Sequence, residues 1–235
     1  MTNLNRFKDV FAIIGPSMIG PSSSHTAGAV RLGRTARHLL GCLPQEADII
    51  FYGSFAATYK GHGTDLAIAA GLLDYDTDDT RIRDALADAE AAGFVPRFSG
   101  VLHQDPGVHP NTAEILLSSG ERRVAMTGCS IGGGSIQIVE VEGFDVKFTA
   151  NNPTLCIFHA DRQGVIADVT SLLRQAGVNI GYMEVDRKAR NGDALTVIEL
   201  DTAVPQALLQ ELRLLSGVQK IAVVDLHARD GEADA

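Results

Sequence analysis

From Pro153 onward the apolar residues change period in a fixed order, and that order leaves few folds open. Leu155, Cys156, Ile157 and Phe158 form a continuous apolar run, the pattern of a short buried strand. Val165, Ile166, Val169, Leu172 and Leu173 then recur at helical spacing, and Gly177 closes that helix. A strand is predicted around Asn179–Lys188. Asn191-Gly192 follows, the dipeptide that favours a type I′ hairpin, and leads into a strand at Ala194–Asp201. Pro205 opens a second helix bearing Leu208, Leu209, Leu212 and Leu215; Gly217 ends it, and Lys220–Leu226 reads as a last strand. The order is βαββαβ.

The first 150 residues are less regular. Helices are predicted near His25–Leu40, Gly61–Leu73 and Arg81–Ala92, with strands near Asp48–Tyr52, Ala113–Leu117, Arg123–Met126 and Ser135–Val141. Together these give an α+β protein: a domain over 1–150, a second over 151–228, and a polar tail over 229–235. Asp74–Thr80 reads as an acidic, turn-rich connector without a function. The 24 glycines cluster around Gly15–Gly20, Gly53, Gly61–Gly63 and Gly128–Gly134, where tight turns or close approach to a ligand would need them.

Composition removes several function classes. Twenty-nine acidic against twenty basic residues give a net charge of −9, which argues against a nucleic-acid or acidic-membrane partner. No apolar run approaches the roughly 20 residues of a membrane span, and no signal-peptide core is evident near the N-terminus. A soluble cytoplasmic protein is expected. The three cysteines, Cys42, Cys129 and Cys156, are too far apart for a zinc knuckle, a CxxC redox pair or a disulfide framework, so no metal ligand is assigned and core packing accounts for them.

Three stretches carry chemistry. In Gly20-Pro21-Ser22-Ser23-Ser24-His25-Thr26-Ala27-Gly28, a serine before an apolar periodic stretch is an N-cap signal, and the same helix start suits a carboxylate or phosphate beside His25. Cap and substrate site are equally good readings. In Thr58–Asp65, Lys60, His62 and Asp65 supply an ammonium, an imidazole and a carboxylate within six residues, provided the fold turns them inward. In His109-Pro110-Asn111-Thr112, Asn111 either donates to a carboxylate or caps a turn. A weaker fourth stretch, Gly128–Gly134, suits an anion cradle or a tight loop; no Lys-Ser/Thr follows, so it is not a Walker loop.

The βαββαβ order is ferredoxin-like, and Asp161-Arg162-Gln163-Gly164-Val165-Ile166 resembles the entry loop of the ACT family, whose members bind amino acids at domain or subunit interfaces. That resemblance implies an effector pocket near Asp161, Gly164, Val165, Ile166, Asn179 and Ile180, and self-association through the sheet. Ile13–Pro16, Met18–Gly28, Tyr52-Gly53-Ser54-Phe55, Thr58–Asp65, His109–Thr112 and Ser130–Gly134 together resemble the β subunit of the two-chain, iron–sulfur-dependent L-serine dehydratases. The resemblance implies conversion of L-serine to pyruvate and ammonia, with a [4Fe–4S] cluster ligated by a partner α subunit. It further implies catalytic or orienting roles for His25 and His62. Ser22, Ser23, Ser24 and Thr26 would hold the substrate carboxylate, supported by Lys60, Asp65 and Asn111. The first domain is also similar to the allosteric substrate-binding fold of some phosphoglycerate dehydrogenases, which leaves a second reading open: a regulatory amino-acid-binding subunit without catalytic groups.

Overall fold

A computed structural model of the chain describes residues 17–20, 22–102 and 107–228. The expectations for Ile13–Pro16, for Pro21 and for the tail over 229–235 lie outside the described residues. The strands of the first half are β1 (Glu46–Tyr52), β2 (Arg97–Val101), β3 (Thr112–Ser119), β4 (Arg122–Gly132), β5 (Ser135–Val141) and β6 (Phe144–Phe148). They form one sheet in the order β2-β1-β3-β4-β5-β6, with only β1 and β2 parallel. Alternation on β3 buries Ala113, Ile115 and Leu117, turning one face of the sheet to the helices. The run Gly132-Gly133-Gly134 is the β4–β5 hairpin turn. All three have positive φ, at 102°, 62° and 76°, where a side chain would be strained.

Helices α1 (Gly28–Leu40) and α2 (Gly53–His62) pack on that face, and α3 (Thr64–Leu72) and α4 (Ala85–Ala91) build outward from them, α3 against α1 and α4 against α3. A π-helical turn, Ser23–Ala27, leads into α1. The helices α1 and α3 cross where neither has a side chain: a Cβ on Gly33 would stand 2.5 Å from the Ile68 carbonyl oxygen, and one on Gly71 would stand 2.2 Å from that of Val30. Two backbones in contact leave no room for even a methyl group.

Three local expectations change here. The stretch after Tyr52, where no element was expected, is helical: Phe55 and Ala56 bury one side of α2, and Phe55 packs edge-on against Phe51 of β1. The helix expected over Gly61–Leu73 is two helices. Gly63, at φ 66°, ends α2 in the left-handed conformation and Thr64 begins α3. The short strands β2 and β6 stand where none was expected. Their residues, Arg-Phe-Ser-Gly-Val and Phe-Asp-Val-Lys-Phe, lie at the two edges of the sheet, where pairing to one neighbour suffices.

The second half gives β7 (Thr154–Ala160), α5 (Val165–Gln175), β8 (Ile180–Arg187), β9 (Asp193–Leu200), α6 (Gln206–Leu214) and β10 (Val218–Val224). Its four strands are antiparallel in the order β10-β7-β9-β8, the ferredoxin-like arrangement. The continuous apolar run on β7 has a direct cause. Leu155 and Ile157 pack under α5 and α6 with Val165, Val169, Leu173 and Leu212, while Cys156 and Phe158 face the other way into the core of the first half. A strand buried on both faces has no polar side to alternate with. The β8–β9 hairpin forms, but not through a type I′ turn at Asn191-Gly192: the Gly192 N–H closes onto the Ala189 carbonyl at 3.0 Å and only Asn191 has positive φ, 60°.

Polar bonds lock the two halves together. Arg31, Arg34 and His38 line one side of α1 at spacings of three and four. Arg31 Nη2 donates to Asn151 Oδ1 at 2.7 Å, and Arg34 Nη1 to the Leu226 carbonyl at 2.9 Å. His38 Nδ1 accepts the Asp225 N–H at 3.3 Å. Asp74, at φ 62°, accepts from Arg34 Nε at 2.8 Å and His38 Nε2 at 3.1 Å, so the connector left without a role is an anchor for α1. On the far side, the outer N–H groups of edge strand β6 and of Thr149 beyond it donate to carboxylates of the second sheet. The pairs are Asp145 to Asp186, Lys147 to Glu184 and Thr149 to Glu199, at 2.9, 2.7 and 3.0 Å. An edge so occupied offers nothing for further strand pairing.

Candidate active site

Ser22 has extended backbone angles and its Oγ accepts the His25 N–H at 3.2 Å, so the N-cap expectation holds for this serine. The same Oγ stands 3.3 Å from His25 Nδ1. The imidazole thereby lies at the start of the helical segment, half-buried, with its second nitrogen, Nε2, 3.3 Å from Ser54 Oγ in the first turn of α2. Phe55 meets the ring edge-on at 5.1 Å between centroids, and the His62 ring lies 4.8 Å away, tilted by 58°. Two imidazoles 37 positions apart in the chain thus share one site, one at the entry of α1 and one at the end of α2. Burial, and after it the charge His62 can carry, push the His25 pKa below its ordinary value of 6.5. At neutral pH His25 is therefore an uncharged imidazole, able to take up a proton.

The remaining predicted residues divide. Ser23 and Ser24 are half-buried within the π-helical turn. Thr26 is 3% exposed; its hydroxyl lies under Gly20, where a Cβ would stand 2.4 Å from Oγ1, and has no hydrogen-bond partner among the described residues. Asn111 closes the sheet end: its Nδ2 donates to the Ser130 backbone carbonyl at 3.4 Å and its own backbone carbonyl accepts the Ser130 N–H at 3.0 Å. The preceding Pro110 carbonyl accepts the Phe55 N–H at 3.2 Å, tying this loop to α2. Lys60 and Asp65 are not drawn into contact with His62. The Lys60 ammonium lies 5.9 Å from the centroid of the Tyr59 ring, and Asp65 Oδ1 accepts the Leu66 N–H at 2.9 Å.

Two features were missed in the sequence. In the sequence Ser54 is only one member of the stretch Tyr52–Phe55; its relation to His25 depends on α2 being a helix. The Ser130 hydroxyl is fully buried without a partner among the described residues and rests against Gly28, where a Cβ would stand 2.2 Å from it. Among the described residues no group of three or more His, Cys, Asp or Glu could hold a metal ion. Cys129 is buried with its thiol pKa raised by burial, and Cys156, fully buried, is pushed up to about 12. Both side chains are packed into the core and, among the described residues, stand in no group of ligands, so they do not fit an iron–sulfur cluster.

The predicted effector residues fall into two groups. Asp161 Oδ2 accepts from Arg187 Nη1 at 3.1 Å and from the Asn191 N–H at 2.9 Å, beside Gly164 and Val165 at the entry of α5 and Ile166 in its first turn. Asn179 Nδ2 donates to Asp201 at 2.6 Å, and Ile180 pairs with Leu200 at the opposite end of β8. Within one chain they do not share a pocket. A concavity of about 1520 Å³ between the two halves is lined by His38, Asp74, Arg122, Phe158 and Lys220, and holds neither His25 nor His62.

The profile of the serine dehydratase beta chain family matches residues 7–140, and that of the ACT domain matches residues 154–215. A probable L-serine dehydratase beta chain of Bacillus subtilis is 47% identical over 219 residues, 93% of this chain and 99% of that protein. The chain belongs to the serine dehydratase β-chain family. An L-serine dehydratase of Escherichia coli is 33% identical over 164 residues, 60% of this chain but only 36% of that longer protein. A D-3-phosphoglycerate dehydrogenase of Synechocystis is 36% identical over 100 residues, 43% of this chain and 18% of that one. The ferredoxin-like second half is an ACT domain, and the family makes the chain a subunit of an enzyme of the L-serine dehydratase type. No helix among the described residues is long and apolar enough to cross a membrane.

Proposed function

We propose that this chain is the β subunit of an iron–sulfur L-serine dehydratase, converting L-serine to pyruvate and ammonia together with an α subunit that ligates a [4Fe–4S] cluster. The observation that carries the reading is the pair His25–His62, with ring centroids 4.8 Å apart at a helix entry that Ser22 caps. The E. coli relative, of which the matched part is about a third, supports a partner that brings the rest of the machinery. This chain's own share would be binding and proton handling. The helix entry with Ser22, Ser23, Ser24 and Thr26 suits the substrate carboxylate. A neutral His25 suits acceptance of the α-proton. Loss of that proton and of the β-hydroxyl as water leaves an enamine, whose hydrolysis returns one water and gives pyruvate and ammonia. Lys60, Asp65 and Asn111 would act in orientation. The three free thiols suit a reducing cytoplasm.

Anaerobic co-expression with a cysteine-bearing α partner tests the reading. Serine should yield pyruvate, and His25→Ala or His62→Ala should lower kcat by about a hundredfold or more. Full activity in both variants would defeat it. The phosphoglycerate dehydrogenase match favours one competing reading, a non-catalytic amino-acid-binding subunit. In that case the histidine variants would move KM or cooperativity and leave saturated kcat intact.

For the ACT domain we propose self-association through edge strand β8, where Tyr182, Met183 and Val185 are exposed. A second copy could then supply what one chain separates, Asp161–Ile166 from one and Asn179–Ile180 from the other, as a site for an amino-acid effector. Sedimentation of the full chain with and without serine checks this. A monomer under both conditions speaks against it.

A further inference from the structure

Both nitrogens of His25 are met by hydroxyls, and these come from different helices. Ser22 Oγ takes the His25 backbone N–H at 3.2 Å, so its own hydrogen is available to Nδ1 at 3.3 Å. Ser54 Oγ stands 3.3 Å from Nε2. Ser54 is not spent on its own helix: α2 begins at Tyr52 as N-cap with no side-chain capping bond, although a serine stands in its first turn. Its backbone is held in place, because Phe55 is fully buried, packs on Phe51 and donates its N–H to Pro110. The same α2 brings His62 to the ring from its other end.

We propose that Ser54 is a positioning residue of the histidine site: it accepts the Nε2 hydrogen while Ser22 donates to Nδ1, and together they select the Nε2-protonated tautomer of neutral His25 and fix its ring plane. In that arrangement Nδ1 is the basic nitrogen, a proton taken up there displaces the hydrogen of Ser22, and the Ser54 hydrogen is left to donate onward. A hydroxyl that only filled space would have no effect on the tautomer. The role rests on the reading of His25 as a group that acts on the amino acid, but the tautomer itself does not.

Imidazole ¹⁵N NMR on the full chain decides it, with His25 assigned by comparison with His25→Gln. Nδ1 should resonate as the unprotonated nitrogen and Nε2 as the protonated one. Ser54→Ala should weaken that preference, leaving only the Ser22 contribution, and Ser54→Thr, which keeps the hydroxyl, should retain it. In the co-expressed complex Ser54→Ala should lower kcat about tenfold or more with little change in KM, and Ser54→Thr should recover most of it. An Nδ1-protonated ring in the unaltered chain, or an unchanged tautomer in Ser54→Ala, overturns the assignment. If Ser54→Ala does not fold, the unaltered chain and Ser54→Thr still decide the tautomer. A complex that makes no pyruvate with Ser54 intact defeats the dehydratase reading instead, and the NMR result stands apart from it.

Discussion

His25 sits where its charged form is disfavoured, first by burial and then by His62. Because the folded pKa lies below the unfolded one, the unfolded chain binds the proton more readily. The contribution to stability is complete above about pH 6.5 and is lost as pH falls through the folded pKa. A proton NMR titration should place His25 below 6.5, and His62→Ala should raise it part of the way, since burial is the larger cause. A midpoint at or above 6.5 in the unaltered chain would contradict this. Asp74 works in the opposite charge sense. Burial pushes its carboxyl up, but the hydrogen bonds from His38 and Arg34 outweigh that and hold the pKa below the usual value. Its stabilisation is present above about pH 4 and disappears as pH falls through the folded pKa. Asp74→Asn keeps a side chain that tolerates φ 62° and removes only the charge. It should cost about 3 kcal/mol at pH 7 in urea unfolding, and the variant should lose less than the unaltered chain between pH 4 and 2.

At the scale of elements, the glycines of the helices divide by what stands opposite them. Gly33→Ala or Gly71→Ala forces α1 from α3 and should destabilise by about 1–3 kcal/mol, read as a lower denaturation midpoint. Gly61 lies inside α2 with nothing within 4 Å of a Cβ, so Gly61→Ala should stabilise by about 0.5–1 kcal/mol in the same measurement. Equal effects at the two kinds of position would show that close approach is not what Gly33 and Gly71 serve. No sequence pattern separates these glycines. Periodicity was enough for α1, α5, α6 and the strands β7 to β10, because each has an apolar stripe matched to its own period. It did not suffice for α2. There Gly53, Gly61 and Gly63 resemble loop punctuation, and the helix exists because β1 offers Phe51 to Phe55. Ser54 was hidden for the same reason, while His25 and His62 were recognisable from their serine-rich and glycine-flanked settings.

For the whole molecule, the second sheet has no solvent face of its own where Cys156, Phe158, Leu195, Val197, Ala222 and Val224 meet the first half. Calorimetry should therefore give one cooperative transition, with calorimetric and van't Hoff enthalpies equal. A fragment over 151–228 should melt well below the intact chain or aggregate through that exposed face. Two resolved transitions would mean that the shared core contributes little. The order of elements, the ACT-like half and the identity of the two histidines were written in the sequence, since periodicity and short motifs are local properties of the chain. The closeness of His25 to His62 and Ser54, the clamp of α1 on the second half through Arg31, Arg34 and His38, and the separation of the effector residues were decided by tertiary structure. Each depends on which distant backbones pack together, and no local stretch of sequence records that.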